Sequence, residues 1–111
     1  MAAASPLFLH RLIGRYVRAF APTRIMLFGS YAKNTSRPDS DVDLLVITYV
    51  PEGPAHHLRR ARQLAADCFP PVDVIFASPQ DVEHAATAAS PFLQSILENG
   101  ITVYETSTRQ P

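Results

Sequence analysis

Residues 27–46 read LFGSYAKNTSRPDSDVDLLV, two apolar runs joined by a polar loop. The first run, Arg24 to Phe28 (RIMLF), stops at Gly29-Ser30. Ten residues further on, Asp41-Val42-Asp43 opens the second run, which continues to Ile47. Aliphatic and β-branched residues bounded by Gly, Asn, Ser and Pro predict strands over Arg24–Phe28 and Asp41–Ile47. A short helical turn is expected over Tyr31–Lys33, and Thr35–Ser40 (TSRPDS) reads as a turn-rich loop. Leu44 to Ile47 are apolar without alternation, so this strand end is expected to be covered on both faces.

Outward from that stretch, the prolines act as punctuation. Ser5-Pro6 is a start signal for a helix through Phe20, with Leu9, Leu12, Ile13, Tyr16, Val17 and Phe20 at helical spacing. A second helix is expected from Pro54 to Phe69, buried through Leu58, Ala61, Leu64, Ala65, Cys68 and Phe69 and stopped by Pro70-Pro71. Val72–Ala77 (VDVIFA) reads as a third strand. Ser78-Pro79-Gln80-Asp81 has the form of a capping box opening a helix over Pro79–Ala89. Ser90-Pro91 starts another helix, which ends in the C-cap signal Asn99-Gly100. Ile101–Tyr104 is a last short strand, and residues 106–111 read as a loose tail. The order α-β-β-α-β-α-α-β predicts one α/β (α+β) domain, a mixed sheet of about four strands with helices packed on it.

Composition narrows the function classes. The chain has 111 residues, 47% apolar and 18% charged, enough for one core and too few for two domains. The single cysteine, Cys68, excludes a disulfide framework and a multi-thiolate zinc site. It reads as a small core residue in a reducing, cytoplasmic setting. No apolar run is long enough to span a bilayer. Net charge is zero, which argues against broad nucleic-acid binding, yet residues 1–62 carry +5 and residues 63–111 carry −5. Such halves are compatible with association into homo- or hetero-oligomers. The Arg-rich, acid-free start has the composition of a mitochondrial transit peptide, but the same residues read as a folded helix. Arg11 and Arg15 interrupt any apolar segment of a secretory signal.

The chemistry lies in the quoted stretch. Side chains alternate along a strand, so Asp41 and Asp43 share a face with Cα atoms about 6.6 Å apart. Two carboxylates that close repel each other without a counter-charge and suit a hard divalent cation such as Mg²⁺. If the third strand lies beside the second, Asp73 completes a three-carboxylate cluster. Such a cluster is able to hold two metals and clamp an in-line phosphoryl displacement. Gly29 lets the backbone approach a ligand, and Ser30 is able to donate its hydroxyl and N–H to a phosphate. The stretch is neither a P-loop nor a dinucleotide-binding fingerprint, because the required glycines are absent.

Taken together, Gly29-Ser30, ten residues, Asp41-x-Asp43 and Asp73 in VDVIF resemble a minimal nucleotidyltransferase of the DNA polymerase beta superfamily. The resemblance runs from RIMLFGSYA to ILENGITVYE. It implies transfer of a nucleoside monophosphate from an NTP to an acceptor hydroxyl, with release of pyrophosphate. The resemblance implies that Asp41, Asp43 and Asp73 are catalytic and hold Mg²⁺ in a two-metal site, with Asp73 also accepting the acceptor's proton. Gly29, Ser30 and Lys33 would bind the nucleotide's phosphates. Stand-alone members resemble antitoxins that add AMP from ATP to a tyrosine of a HEPN-domain toxin. Two other readings stay open: a non-catalytic partner-binding module, and transfer to a small-molecule hydroxyl. The chain departs from many members in carrying Asn34 where they have a glycine; asparagine tolerates the left-handed backbone such a turn requires.

Other charged residues read more plainly. Arg11, Arg15 and Arg18 form a stripe on the first helix that reads as a solvated face, with a partner-docking surface as the other reading. His56 and His57, being adjacent on a helix, point apart and do not share a metal. Lys33 and Arg37 lie in the motif loop, where they either steer a triphosphate or are simply solvated. Tyr31 is expected to pack against the body of the domain.

Overall fold

The computed structural model describes residues 7–35, 40–51, 53–68, 70–85 and 90–106. The elements are α1 (Leu7–Phe20), β1 (Arg24–Phe28), β2 (Val42–Ile47), α2 (Pro54–Leu64), β3 (Val72–Ala77), α3 (Pro79–Glu83), α4 (Pro91–Asn99) and β4 (Ile101–Glu105). The sheet order is β3-β2-β1-β4. β1 pairs antiparallel with both β2 and β4, and β2 pairs parallel with β3. A parallel pair needs a crossover, which α2 supplies. The mixed four-stranded sheet is the one expected.

β2 is the centre of the fold because both its faces are covered. Val42, Leu44 and Val46 join Leu9, Leu12 and Tyr16 in the larger core under α1 and α2. Leu45 and Ile47 join Met26, Ala77 and Ile96 in a second core under α4. Each such buried aliphatic side chain contributes about 1.5–3 kcal/mol. The Tyr16 hydroxyl donates to the Ala61 carbonyl at 3.1 Å, tying α1 to α2, and burial pushes its pKa up. Thr48 is buried and spends its hydroxyl on the Phe20 carbonyl at 2.8 Å.

Several boundaries differ from expectation. α2 ends at Leu64 rather than Phe69. Its last turn tightens as the Ala65 N–H reaches both Ala61 and Arg62 carbonyls. The Arg15 guanidinium then takes the Leu64 carbonyl at 2.7 Å and pairs with Asp67. Arg15 is therefore a tie between helices and not a solvated stripe residue. Cys68 is half-buried against the larger core. α3 closes at Glu83, although its capping box forms in both directions between Ser78 and Asp81. Gly100 does cap α4, but in extended backbone (φ −78°). Glycine is needed there for space, since a Cβ would lie 2.7 Å from the Ile96 carbonyl oxygen. Thr106, the first residue of the expected tail, donates its N–H to the Thr23 carbonyl and so is tied to the sheet. Ser5, Pro6, Arg37, Phe69, residues 86–89 and residues 107–111 lie outside the described residues.

Candidate active site

The parallel register sets Asp43 directly beside Asp73. The antiparallel register sets Phe28 opposite Asp43, so the chain leaves β1 at Gly29 next to the same carboxylate. Alternation puts Asp43 on the sheet face that carries Leu45 and Ile47, the α4 side. β2 begins at Val42, whose N–H donates to the Pro71 carbonyl, so Asp41 precedes the strand instead of opening it. Asp43 is half-buried, whereas Asp41 and Asp73 are exposed.

Electrostatics tie the three together. Burial pushes the Asp43 carboxyl above the ordinary carboxylate range, and the charges of Asp73 and Asp41 push it further. None of the three carboxylates takes part in an ion pair among the described residues. The described residues also contain no group of three His, Cys, Asp or Glu side chains already converged as a metal-ligand set. The structure thus joins Asp43 to Asp73 by register and leaves Asp41 at the strand entrance, close enough to act through its charge.

Gly29 has φ +77°, a left-handed conformation, and a Cβ there would fall on the Asp43 carboxylate. After it the chain makes the short turn expected over Tyr31–Lys33, which is not continued into a helix. Lys33 N–H donates to the Gly29 carbonyl, Asn34 N–H to Tyr31 and Thr35 N–H to Ser30. Asn34 adopts φ +61°, the left-handed backbone anticipated for it. Ser30 is half-buried within this turn, Lys33 is exposed, and Tyr31 packs against the larger core.

A pocket of about 270 Å³ opens between the Gly29–Lys33 turn and α4, where Phe92, Ser95 and Asn99 line it. Sequence reading missed this wall. Its signal was the polar pair Ser95 and Asn99 one helical turn apart, which the structure joins through the Asn99 side-chain N–H and the Ser95 carbonyl at 3.1 Å. Phe92 is exposed and meets Phe28 edge-on at 6.1 Å. His57, by contrast, packs between Phe20 and Phe76, away from the carboxylates, and His56 is exposed. Among the described residues, no helix is long and apolar enough to cross a membrane.

Comparison with known proteins agrees with this fold. No curated protein matches the sequence. A toxin–antitoxin crystal structure with AMP-PNP has the same fold, with TM-score 0.59, 22% identity, and 87% of this chain and 73% of that chain covered. The toxin–antitoxin MntA–HpeT, solved as a double Asp-to-Glu mutant, gives TM-score 0.58 at 20% identity, covering 87% of this chain and 73% of that one. A protein assigned as a nucleotidyltransferase from Sulfolobus solfataricus gives TM-score 0.59 at 13% identity, covering 88% and 78%. The family model for polymerase beta nucleotidyltransferases matches residues 12–109. The chain belongs to the polymerase beta nucleotidyltransferase family.

Proposed function

We propose that this protein is an antitoxin that transfers AMP from ATP to a hydroxyl of a protein acceptor, a tyrosine of a HEPN-domain toxin. The observation that carries the reading is the Asp43–Asp73 pairing beside Gly29. Asp41, Asp43 and Asp73 are the residues that would hold Mg²⁺. The fit rests on a repulsive, oxygen-only donor set that has no ion-pair partner among the described residues. When bound, the metal would offset triphosphate charge and lower the acceptor's pKa.

The chain's own groups supply the rest. Gly29 and Ser30 present backbone and hydroxyl to the β- and γ-phosphates, and Lys33 steers the triphosphate toward them. The acceptor oxygen attacks the α-phosphorus as the bond to the bridging oxygen breaks. Pyrophosphate leaves with that electron pair, and the acceptor's proton passes to the Asp73 carboxylate. The toxin–antitoxin relatives support a toxin as acceptor, and the AMP-PNP complex of one of them supports ATP. In the other, two aspartates two positions apart were changed to glutamate, the spacing of Asp41 and Asp43. The reading places the protein in the cytoplasm, in keeping with the free thiol of its single cysteine, Cys68.

The test uses α-labelled and γ-labelled ATP with Mg²⁺ in lysate of the native host. The reading expects one protein band labelled from the α-position only, absent with Asp41→Asn. Label from the γ-position, or no band in a lysate that contains the partner, would refute it.

A further inference from the structure

The opposite charges of the two sequence halves become opposite faces of the sheet. α1 and α2 together carry Arg11, Arg15, Arg18, Arg59, Arg60 and Arg62 and no acidic residue. α3 and α4 carry Asp81, Glu83 and Glu98 and no Lys or Arg. Of the six arginines, Arg15 is paired with Asp67; the other five are exposed.

The basic face reaches the β3 edge of the sheet, while the Asp43 and Asp73 side chains stand on the opposite, α4 face. Arg59 and Arg62 line one groove on α2 with Ala55, Leu58 and Gln63, about 380 Å³ in volume. Leu58 and Arg62 also line a second, smaller pocket of about 50 Å³, whose far wall is Val72, Asp73 and Val74. β3 is an edge strand of the sheet. An acceptor approaching Asp73 from that edge therefore passes Arg62.

We propose that the Arg59–Arg62 groove docks an acidic segment of the protein acceptor and so delivers its hydroxyl to the Asp73 edge. The inference rests on the transfer reading above. A guanidinium fork matches a carboxylate in two parallel hydrogen bonds, and arginines three apart on a helix face the same partner surface. A nucleic acid is the poorer match: no exposed Phe, Tyr or Trp stands among the described arginines of α1 and α2 to stack a base.

The experiment compares two probes, a random Glu–Tyr copolymer and a Lys–Tyr copolymer, in binding and in labelling from α-labelled ATP. The parallel variants are the double substitution Arg59→Ala with Arg62→Ala, and Arg59→Lys with Arg62→Lys. ATP affinity and a thermal melt are measured on every protein. The proposal expects Glu–Tyr binding and labelling over Lys–Tyr, weakened by salt. The alanine pair should raise KM for Glu–Tyr by about tenfold or more, with kcat and ATP affinity retained. The lysine pair should recover part of the loss. Equal use of both copolymers, an unchanged KM in the alanine pair, tighter binding of poly(U) than of Glu–Tyr, or no Glu–Tyr binding by wild type would each overturn it. Glu–Tyr binding that depends on both arginines but comes without any label transfer would uphold the docking surface and count against the transfer reading instead.

Discussion

The Asp43 carboxylate occupies the space in which a side chain at Gly29 would begin. Glycine meets two requirements at once there, the left-handed φ of +77° and the close approach of strand β2's acid to the turn after β1. The Gly-Ser and Asp-x-Asp motifs, ten residues apart in sequence, are thus one contact in space.

Gly29→Ala should violate both requirements. Backbone strain alone costs about 1–2 kcal/mol, and the new methyl would displace the Asp43 carboxylate. We expect a lower melting temperature and, because Asp43 moves, loss of nucleotidyl transfer greater than the stability loss explains. Transfer assays below the melting transition check this. Wild-type activity in a folded variant would contradict it.

Asp43 should make the fold less stable as its carboxyl ionises. Its pKa is raised by burial and by Asp73 and Asp41, so the native state holds the proton more tightly than the unfolded chain does. The stabilisation is complete below the ordinary carboxylate pKa of 3.8 and is lost as pH rises through the raised folded value. Asp43→Asn should consequently melt higher than wild type at pH 7 in the absence of metal. The gain should be below about 1 kcal/mol, because solvent screens a half-exposed group. The difference should shrink toward acid pH. A denaturation series across pH decides it, and a variant less stable than wild type at neutral pH would refute the sign.

Ala21 is a second strained position. It follows α1 with φ +46°, donating its N–H to the Val17 carbonyl. Pro22 disfavours the right-handed helical conformation in the residue before it, so the helix ends here in a left-handed cap. Ala21→Gly should relieve the Cβ penalty and stabilise the protein by about 0.5–1 kcal/mol. Urea titration measures it; a destabilised variant would show that the strain is not real.

The sequence carried the local features and missed those set by distance. β1 and β3 were readable to the residue because aliphatic runs end at Gly29, Pro71 and Ser78. The Ser78–Asp81 capping box was equally plain, since both its partners lie within one turn. Asn34 was read correctly as a left-handed position. The end of α2 was not, because Arg15 caps it from another helix. Gly100 carried a cap signal, but its need for glycine comes from the Ile96 and Leu27 carbonyls packed against it. In the site, Asp43 and Asp73 were each visible as acids in apolar strands. Their adjacency depended on the strand order, which the sequence left conditional. The α4 wall of the pocket was hidden because Ser95 and Asn99 look like ordinary surface residues until the helix is docked.

The most direct test of the account is the transfer rate of Asp43→Asn measured beside its thermal melt, with α-labelled ATP, Mg²⁺ and the acceptor protein. The rate should fall by on the order of 10²-fold or more in a protein that melts at or above the wild-type temperature. A folded Asp43→Asn protein that transfers AMP at the wild-type rate would contradict it.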